Sequence, residues 1–413
     1  MIDVGPGKPV WSFGVMTGTS MDGIDVALLK TDGETVGTFG PTFSHEIPAK
    51  KVAIIQDCIE RVKTTPTWRL KQRNSWPEWL YEADFAMSGI TYDFMEIMRF
   101  SQLDYSEKPQ EPAWEEIRQD WSQTCSGVHG QTVTHRPEEG FTLQIGQRDW
   151  SRGIGRPFCH QSSYFSKRTT DVTGFREDDL RYGGEGAPLA PFYHFALAKH
   201  IAADAPLAFL NIGGVANVTW VDPVKALPEE AGALLAFDTG PGNALVNDWM
   251  QRHTGEAMDR DGAAASKGRV HRDRLGSNSA RAYLERVPPK SLDRNDFAAV
   301  LAAMEGLSVA DGAATLTAFT VDCVVESLRH MPTPPTRWLI CGGGRRNLTM
   351  MRMLADRLDA PVDPVEAVGL DGDMLEAQAF AFLAVRVLRG LPTSAPSTTG
   401  CREPVCGGKI WSP

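Results

Sequence analysis

The chain has 413 residues with a formal net charge of −10, and 42% of the residues are hydrophobic. That length suits two domains better than a single core. Nucleic-acid-binding proteins concentrate Lys and Arg against phosphates, so the acidic balance excludes a general nucleic-acid partner. It leaves room for one small anion, because a loop of backbone N–H groups binds phosphate without net charge.

Cysteine usage and the N-terminal sequence point to a cytoplasmic protein. The seven cysteines include no CxxC pair, a spacing that predicts neither a disulfide framework nor a zinc site. The N-terminal MIDVGPGKPV lacks an apolar signal-peptide region, and runs such as FAFLAV are shorter than the ~20 residues that span a bilayer. We therefore expect reduced thiols, a cytoplasmic location and no membrane partner.

The first predicted elements are strands around a glycine-bearing loop. Apolar runs predict strands at 10–16 and 24–30 on either side of GTSMDG, and the turn signal TDGET predicts a third, antiparallel strand. Helical spacing follows at 51–61 and 69–99, with the Trp residues of the second run expected in the core. A short strand is expected at 124–128, just before HGQTVTH.

The middle of the chain repeats this beginning. After a strand at 172–176 and a helix at 189–203, residues 206–222 again combine a strand, a glycine-bearing turn and a strand. The parallel with residues 11–30 suggests a duplicated α/β unit. Strands that alternate with helices place the whole chain in the α/β class.

The remaining elements are mostly helical. A helix is expected at 243–253, and a capping box of Ser308 and Asp311 predicts the start of another. The run RWLICGGGRRNLTMMRMLADRL predicts a strand, glycines and a helix, and a long final helix is expected at 373–388. The turn-rich GLPTSAPSTTGC is expected to wrap the surface.

Four glycine-rich loops follow predicted strands, at residues 18–23, 212–214, 238–243 and 341–347. Glycine permits a ligand to approach the backbone, and ligands of α/β proteins bind at the carboxyl ends of strands. We therefore interpret the four loops as a nucleotide site rather than as unrelated turns. The usual signatures are absent, because neither GxxxxGK[ST] nor a helix-opening GxGxxG with a later acidic residue occurs.

Nine motifs occur in the order seen in one enzyme family. They are GTSMDGID, HGQTVTHRP, QIG, GGEGAPLAPFYH, NIGGVANVT, FDTGPGNALVNDW, DRDGAAA, CGGGRRN and LEAQAFAFLA. In these motifs the chain resembles the anhydro-N-acetylmuramic acid kinases, within the sugar kinase, Hsp70 and actin superfamily. The resemblance implies an α/β, two-domain fold with a central cleft. We place the first domain at 1–172, completed by about 373–413, and the second at 173–372.

The family phosphorylates 1,6-anhydro-N-acetylmuramic acid, a product of cell-wall recycling, and opens its anhydro bridge in the same reaction. Water opens the bridge at the anomeric carbon, and the released O6 attacks the γ-phosphate of ATP. The product is N-acetylmuramic acid 6-phosphate. The resemblance therefore implies ATP and Mg²⁺ as cofactors, this sugar as substrate and a homodimer as the assembly.

Two acids are the catalytic candidates. Asp238 follows the predicted strand 234–237 and precedes glycines that admit a substrate, a setting that suits a general base but is more often that of a residue capping a loop. The resemblance gives the Asp of this motif the role of the base that activates water. Glu376, near the start of the last helix, either complements the helix dipole or, as the resemblance implies, lies in the active site.

The nucleotide is expected to contact the glycine loops and their neighbours. The residues implied are Gly18, Thr19, Ser20, Met21, Asp22, Gly23, Ile24, Asp25, Gly213, Gly214, Gly342, Gly343, Gly344 and Asn347. Asp22 and Glu376 are the candidate ligands of Mg²⁺, which favours one or two carboxylates together with phosphates. Asp25 is either a further acid of this site or a strand residue that points into solvent.

Arg176 is the candidate partner of the sugar's lactyl carboxylate, which a guanidinium binds in a bidentate manner. The other candidate substrate contacts are His129, Gly240 and Asn243. His129 is as typical of a packed loop histidine as of a substrate contact.

The region around Arg176 departs from the family pattern. Where the family usually has Asp-Phe-Arg, this chain has Gly174 before Phe-Arg, and acidic Glu177 and Asp178 stand where basic residues often follow. Glu185 replaces a usual Gln. Acidic side chains that pointed toward an anionic sugar would weaken its binding.

Three other functions stay open on the sequence alone. These departures permit a kinase of the same superfamily that acts on another sugar or acid. The fold also suits a non-catalytic ATP-binding regulator, although the presence of Asp238 counts against it. Asp238 and Glu376 would serve a metal-free glycosidase as a carboxylate pair, and ATP dependence distinguishes that enzyme from a kinase.

Overall fold

The structure is a computed structural model that describes residues 2–18, 21, 23–101, 116–117, 123–147, 170–275, 283–292 and 297–412. These residues form two compact units. Unit 1 comprises the described residues of Met1–Ala196, Glu376–Ala395 and Cys401–Pro413, and unit 2 comprises those of Leu197–Leu375 and Pro396–Gly400. The segment 173–196, which the sequence assigned to the second domain, groups with unit 1.

Strands alternate with helices along the described chain. The strands are β1 Val10–Thr17, β2 Gly23–Thr31, β3 Val36–Glu46, β4 Cys125–Val128, β5 Gln131–Arg136, β6 Phe141–Ile145, β7 Thr170–Thr173, β8 Leu207–Ile212, β9 Val215–Val221, β10 Leu234–Pro241, β11 Trp338–Cys341, β12 Val362–Pro364 and β13 Lys409–Trp411. The α-helices are α1 Ala49–Thr64, α2 Thr67–Leu70, α3 Glu78–Ser101, α4 Phe175–Arg181, α5 Pro191–His200, α6 Ala244–Thr254, α7 Ala298–Ala302, α8 Val309–Ser327, α9 Leu348–Arg357, α10 Leu375–Leu388 and α11 Pro396–Thr399. This alternation confirms the α/β class.

Five strands of the unit 1 sheet and the five strands of the unit 2 sheet have the same topology. The unit 1 sheet runs β13-β7-β4-β1-β2-β3, and the unit 2 sheet runs β10-β9-β8-β11-β12. In both, three strands form an antiparallel meander, and two later strands add in parallel beside the first of them. The repeated topology confirms the duplicated α/β unit and the sugar kinase/Hsp70/actin-like fold that the motifs imply.

The parallel strands place the predicted loops at the same edge within each unit. In unit 1 the carboxyl ends of β1, β4 and β7 lead into the GTSMDG loop, His129 and Gly174. In unit 2 the carboxyl ends of β8, β10 and β11 lead into the other three glycine-rich loops. Because ligands bind at this edge of α/β sheets, each unit offers one binding edge.

Helix α10 lies directly on the unit 1 sheet because two paired residues of neighbouring strands are glycines. Gly14 on β1 pairs with Gly127 on β4. A Cβ atom at Gly14 would lie 1.7 Å from the carbonyl oxygen of Ala377, and one at Gly127 would lie 2.0 Å from that of Phe380. Any side chain at either position would push the helix away, so these glycines allow the first two turns of α10 to pack on β1 and β4.

Two element boundaries differ from those expected, each for a local reason. The helix expected at 69–99 is divided into α2 and α3, because the residue before Pro77 is extended, as residues before proline usually are. The strand expected at 172–176 ends at Thr173, because Gly174 adopts a left-handed conformation with φ 67° and α4 begins at Phe175. Ser308 is the N-cap of α8 as expected, since its Oγ accepts a hydrogen bond from Asp311 N at 3.1 Å, whereas Asp311 Oδ1 accepts from Arg269 N at 2.7 Å.

The turn-rich segment 390–401 does not wrap the surface as expected. Thr393 and Ser394 are each 1% exposed, and Thr399 is fully buried. Ser394 Oγ donates to Asp179 Oδ1 at 2.5 Å, and Thr393 N donates to the carbonyl of Val405 at 2.7 Å. Polar residues that are hydrogen-bonded can be buried, so turn composition alone gave the wrong location.

Two further observations concern the described residues as a whole. Their helices are all too short or too polar to cross a bilayer. Six cysteines lie within them and are free thiols, five buried and Cys406 exposed, whereas Cys159 lies outside the described residues.

Candidate active site

The GTSMDG loop is described only in part, since Thr19, Ser20 and Asp22 lie outside the described residues. The Gly18 carbonyl accepts a hydrogen bond from Met21 N at 3.1 Å. Met21 has φ 54°, and its side chain packs against the unit 1 core. Gly23 then begins β2.

The two residues after Gly23 point to opposite faces of β2. Ile24 is fully buried in the unit 1 core, so only its backbone is available to a nucleotide. Asp25 is half-buried, and its Oδ1 accepts a hydrogen bond from Ser44 Oγ on β3 at 2.5 Å. Asp25 is therefore held across the β2–β3 pair rather than extended into solvent.

Arg176 and His129 form one hydrogen-bonded pair in unit 1. Arg176 Nε donates to His129 Nε2 at 2.9 Å, and its Nη1 donates to the carbonyl of Gly186 at 2.7 Å. His129 Nδ1 lies 2.7 Å from the carbonyl of Gly130, so Nδ1 carries the proton and Nε2 is the acceptor. Burial, and next the positive charge of Arg176, hold the pKa of His129 well below its usual range. His129 is thus a buried neutral ring that orients Arg176, and a direct substrate contact stays a prediction.

The acidic residues after Arg176 are engaged elsewhere. Glu177 Oε2 forms an ion pair with Lys409 Nζ at 2.5 Å. Asp178 accepts from Arg181 Nη1 at 2.6 Å and from Gly408 N at 3.2 Å. Both carboxylates therefore have cationic or N–H partners on α4 or in the C-terminal strand region. Because these partners compensate the two negative charges locally, Glu177 and Asp178 repel an anionic substrate less than their position in the sequence suggests.

Glu376 lies in the first turn of α10 and is exposed. The next residue, Ala377, is buried where α10 touches Gly14 of β1. The helical turn that carries Glu376 therefore packs on the strand that leads into the GTSMDG loop.

Three glycine-rich loops of unit 2 are joined by backbone hydrogen bonds and close packing. The carbonyl of Gly213 accepts from Asn243 N at 2.7 Å, and that of Gly214 accepts from Gly242 N at 2.9 Å. Asn243 Nδ2 also donates to the carbonyl of Ile212 at 3.1 Å. These bonds fix the β8–β9 turn to the start of α6. Asn243, predicted as a substrate contact, has a structural task at this junction.

The glycines of these loops fall into two groups. In the first group an added Cβ would clash with protein atoms, so packing alone requires glycine. The clash distances are 2.3 Å from Gly242 to Gly213 O, 2.2 Å from Gly342 to Asn211 Oδ1 and 2.4 Å from Gly344 to Ile212 Cγ2. At Gly213 the nearest atom would be 3.5 Å away, at Gly343 3.9 Å, and at Gly214 nothing lies within 4 Å. The second group is therefore the set of glycines whose backbone a ligand can approach.

Asn347 and Arg345 stabilise the third loop. Asn347 caps α9, since its side chain accepts a hydrogen bond from Met350 N at 2.9 Å. Arg345 is 8% exposed and donates to Glu366, to Asp373 and to the carbonyl of Gly342 at 2.8–3.0 Å. Its acidic partners lie about twenty or more positions later, so nothing in the local sequence marks them.

Asp238 lies on β10 at a β-bulge, where the pairing with β9 shifts between Asp238 and Gly240. Bulges of this kind redirect a side chain and are common beside active sites. The Asp238 carboxylate is half-buried, and Oδ2 accepts a hydrogen bond from Leu292 N at 2.9 Å. At Gly240, an added Cβ would lie 2.7 Å from the Cβ of Cys323 on α8, so packing requires this glycine whether or not substrate touches it.

Comparison with known proteins gives one consistent family. The family model described as anhydro-N-acetylmuramic acid kinase matches residues 115–413. Proteins of that name are 45% identical in Ruegeria sp. (strain TM1040), covering 98% of this chain and 96% of that protein, and 44% identical in Rhodospirillum rubrum, covering 97% and 94%. A solved activator of 2-hydroxyisocaproyl-CoA dehydratase from Clostridium difficile aligns over 92% of this chain and 96% of its own, with TM-score 0.40 and 12% identity. The chain belongs to the anhydro-N-acetylmuramic acid kinase family and is an enzyme of the kinase class.

Proposed function

We propose that the protein opens the 1,6-anhydro bridge of 1,6-anhydro-N-acetylmuramic acid with water and transfers the γ-phosphoryl group of ATP to O6. The products are N-acetylmuramic acid 6-phosphate and ADP. The observation that carries the proposal is the 45% identity to a kinase named for this sugar, over 98% of the chain. The reaction belongs to the recycling of cell-wall amino sugars.

Asp238 is the general base of this reaction. Its carboxylate takes a proton from water as the water oxygen bonds to the anomeric carbon, and the bond from that carbon to O6 breaks. O6 then forms its bond to the γ-phosphorus, and ADP leaves. The hydrogen bond from Leu292 N to Oδ2 supports the role, because it fixes the plane of the carboxylate before the substrate arrives.

ATP is the phosphoryl donor, and the open glycines support this assignment. Gly213, Gly214 and Gly343 leave backbone accessible at the carboxyl edge of the unit 2 sheet, where a nucleotide can approach without a clashing side chain. Gly18 and the rest of the GTSMDG loop would receive phosphates in the same way at the carboxyl end of β1.

Mg²⁺ would be held by Asp22 and Glu376 together with the phosphates. Among the described residues, no group of three or more His, Cys, Asp or Glu side chains is arranged to hold a metal ion. Mg²⁺ in kinases does not require such a cage, because one or two carboxylates, waters and phosphates complete its shell. The exposed Glu376 fits that requirement. When bound, the ion neutralises charge on the phosphates.

Arg176 binds the lactyl carboxylate of the sugar in this proposal. The hydrogen bonds to His129 and Gly186 support it, because they hold the guanidinium in one orientation before the substrate binds. We also propose a cytoplasmic location and a homodimer, both supported by the family resemblance.

The decisive experiment incubates the purified protein with ATP, Mg²⁺ and 1,6-anhydro-N-acetylmuramic acid in water enriched in ¹⁸O. We expect ADP and sugar phosphate in equal amounts, with the label on the anomeric hydroxyl and none in the phosphate. Release of ADP with other amino sugars but not with this one would assign a different kinase substrate. Sugar opening that needs no ATP would assign a glycosidase, and ADP release that does not depend on sugar would show transfer of the phosphoryl group to water instead of to O6.

Arg176→Lys is expected to raise KM for the anhydro sugar about 10- to 100-fold, because the variant loses one charge-assisted bidentate contact with the substrate. Lysine cannot donate to His129 and to the carbonyl of Gly186 from the fixed fork that a guanidinium provides. The measurement is steady-state ADP release over a range of sugar concentrations at saturating ATP. Arg181→Gln is the matched control, since Arg181 lies on the same helix and is exposed. Equal KM values for the two variants would contradict the assignment of Arg176.

A further inference from the structure

Asp238 is held on three sides by residues 283–292, called the strap below, which none of the nine motifs includes. The Asp238 N–H donates to the carbonyl of Lys290 at 3.0 Å, and the Tyr283 hydroxyl donates to the Asp238 carbonyl at 2.7 Å. The Leu292 N–H donates to Asp238 Oδ2 at 2.9 Å. The strap therefore binds both backbone polar groups and one carboxylate oxygen of a single residue.

The position of β10 explains why Asp238 needs these contacts. Within the described part of unit 2, β10 is an edge strand, so the backbone groups on its outer side face no further strand. The bulge between Asp238 and Gly240 also interrupts the regular pairing with β9 at this point. The sheet alone leaves the orientation of Asp238 loosely determined, and the strap supplies the constraint that an inner strand would receive from its neighbours.

The Lys290 side chain connects the second half of the strap to its first two residues. It is 3% exposed, and Nζ donates to the carbonyls of Tyr283 at 3.1 Å and Leu284 at 3.2 Å. The ammonium also lies 4.7 Å from the centroid of the Tyr283 ring, within the range of a cation–π contact. A buried ammonium is costly unless its donors are satisfied, so these contacts tie position 290 to position 283.

Charge couples Lys290 to Asp238 as well. Burial, and next the positive charge of Arg286, lower the pKa of Lys290 to about 8. The negative charge of Asp238 acts in the opposite direction, since it favours the ammonium form. Lys290 thus interacts with Asp238 both through its own backbone carbonyl and through its side-chain charge.

We infer that Tyr283 and Lys290 are positioning residues for Asp238, an inference that rests on the proposed function. A general base must lie within hydrogen-bond reach of the proton it removes, and a small misplacement costs rate rather than affinity. Tyr283 aligns the Asp238 backbone, Leu292 N aligns the carboxylate, and Lys290 keeps the strap in the shape that allows both contacts.

The first test uses Tyr283→Phe, which removes one hydroxyl and keeps the ring beside the Lys290 ammonium. We expect kcat to fall about tenfold, while KM for ATP and for the sugar stays within about twofold. ADP affinity measured by calorimetry should be unchanged. Lys290→Met should lower kcat at least as much, and Lys290→Arg, which keeps cationic donors, should recover part of the loss. Ser327→Ala is the matched control, because it removes a buried hydroxyl bonded to the carbonyl of Val324 on α8.

The second test combines Tyr283→Phe with Asp238→Asn. A residue that acts through the base should have no further effect once the base is gone. Parental kcat in Tyr283→Phe, or a tenfold loss that persists in the Asp238→Asn background, overturns the inference, even if Lys290→Met fails to fold. Failure of the proposed function looks different, because the parent enzyme would then release no ADP with the anhydro sugar, or Asp238→Asn would retain full activity.

Discussion

Asp238→Asn is expected to turn over the anhydro sugar about 10²- to 10⁴-fold more slowly than the parent enzyme, the usual contribution of a general base. The amide has the size of the carboxylate, and its oxygen can still accept the hydrogen bond from Leu292 N. The hydrogen bonds that Tyr283 and Lys290 make with this residue involve only its backbone and are retained. The variant should therefore fold and bind both substrates normally, and the loss should appear in kcat.

The measurement is single-turnover formation of sugar phosphate, together with thermal unfolding and ADP binding. Asp222→Asn is the matched control in the same unit, because the Asp222 carboxylate also accepts a backbone N–H, from Val224 at 3.1 Å. It follows β9 in a turn and should retain parental activity. A kcat of Asp238→Asn within tenfold of the control would contradict the role of Asp238 as base.

The repeated α/β architecture could be predicted from the sequence because its cause is local. Two hairpins with glycine-bearing turns, at 10–31 and 207–221, are built from largely apolar runs, and each run pairs with the next one along the chain. The N-cap of α8 at Ser308 was predicted for the same reason, since four consecutive residues contain the whole interaction. The motifs then supplied the family and the reaction.

The roles of individual glycines could not be predicted, because they depend on what lies opposite each one. The sequence presents Gly342, Gly343 and Gly344 as equivalent. In the structure Gly342 and Gly344 abut β8, whereas Gly343 does not. A run of glycines in the sequence indicates that side chains are not tolerated at those positions. It does not indicate whether the space beside each glycine is filled by protein or by a ligand.

Long-range partners were missed for a related reason. Arg345 pairs with Glu366 and Asp373, Glu177 pairs with Lys409, and the strap reaches Asp238 from more than forty positions away. No periodicity or turn signal encodes a contact between residues so far apart in sequence. For the candidate site, the family motif proposes Asp238, and the structure was required to find the residues that hold it.

Gly342→Ala is expected to lower the free energy of unfolding of the protein by about 2–4 kcal/mol, and so Tm by about 5–15 °C. Gly342 has φ 70° and ψ 177°, a conformation that is essentially restricted to glycine. Its Cβ would also lie 2.2 Å from Asn211 Oδ1 and 2.9 Å from the carbonyl oxygen of Ile212. Relief of the second contact requires movement of the β8 backbone, which carries the turn at Gly213.

Gly343→Ala adds the same methyl group one position later, where the nearest atom is Asn243 Nδ2 at 3.9 Å. Its Tm should stay within about 2 °C of the parent, because the added methyl meets no protein atom at close range. If the nucleotide packs on this glycine, KM for ATP should rise about fivefold or more, since the methyl group occupies the space of the ligand. Thermal unfolding and ATP-dependent kinetics of the two variants separate the two kinds of glycine. A stable Gly342→Ala enzyme, or a Gly343→Ala enzyme with parental KM for ATP, would contradict the division of this loop into a packing glycine and a ligand-facing one.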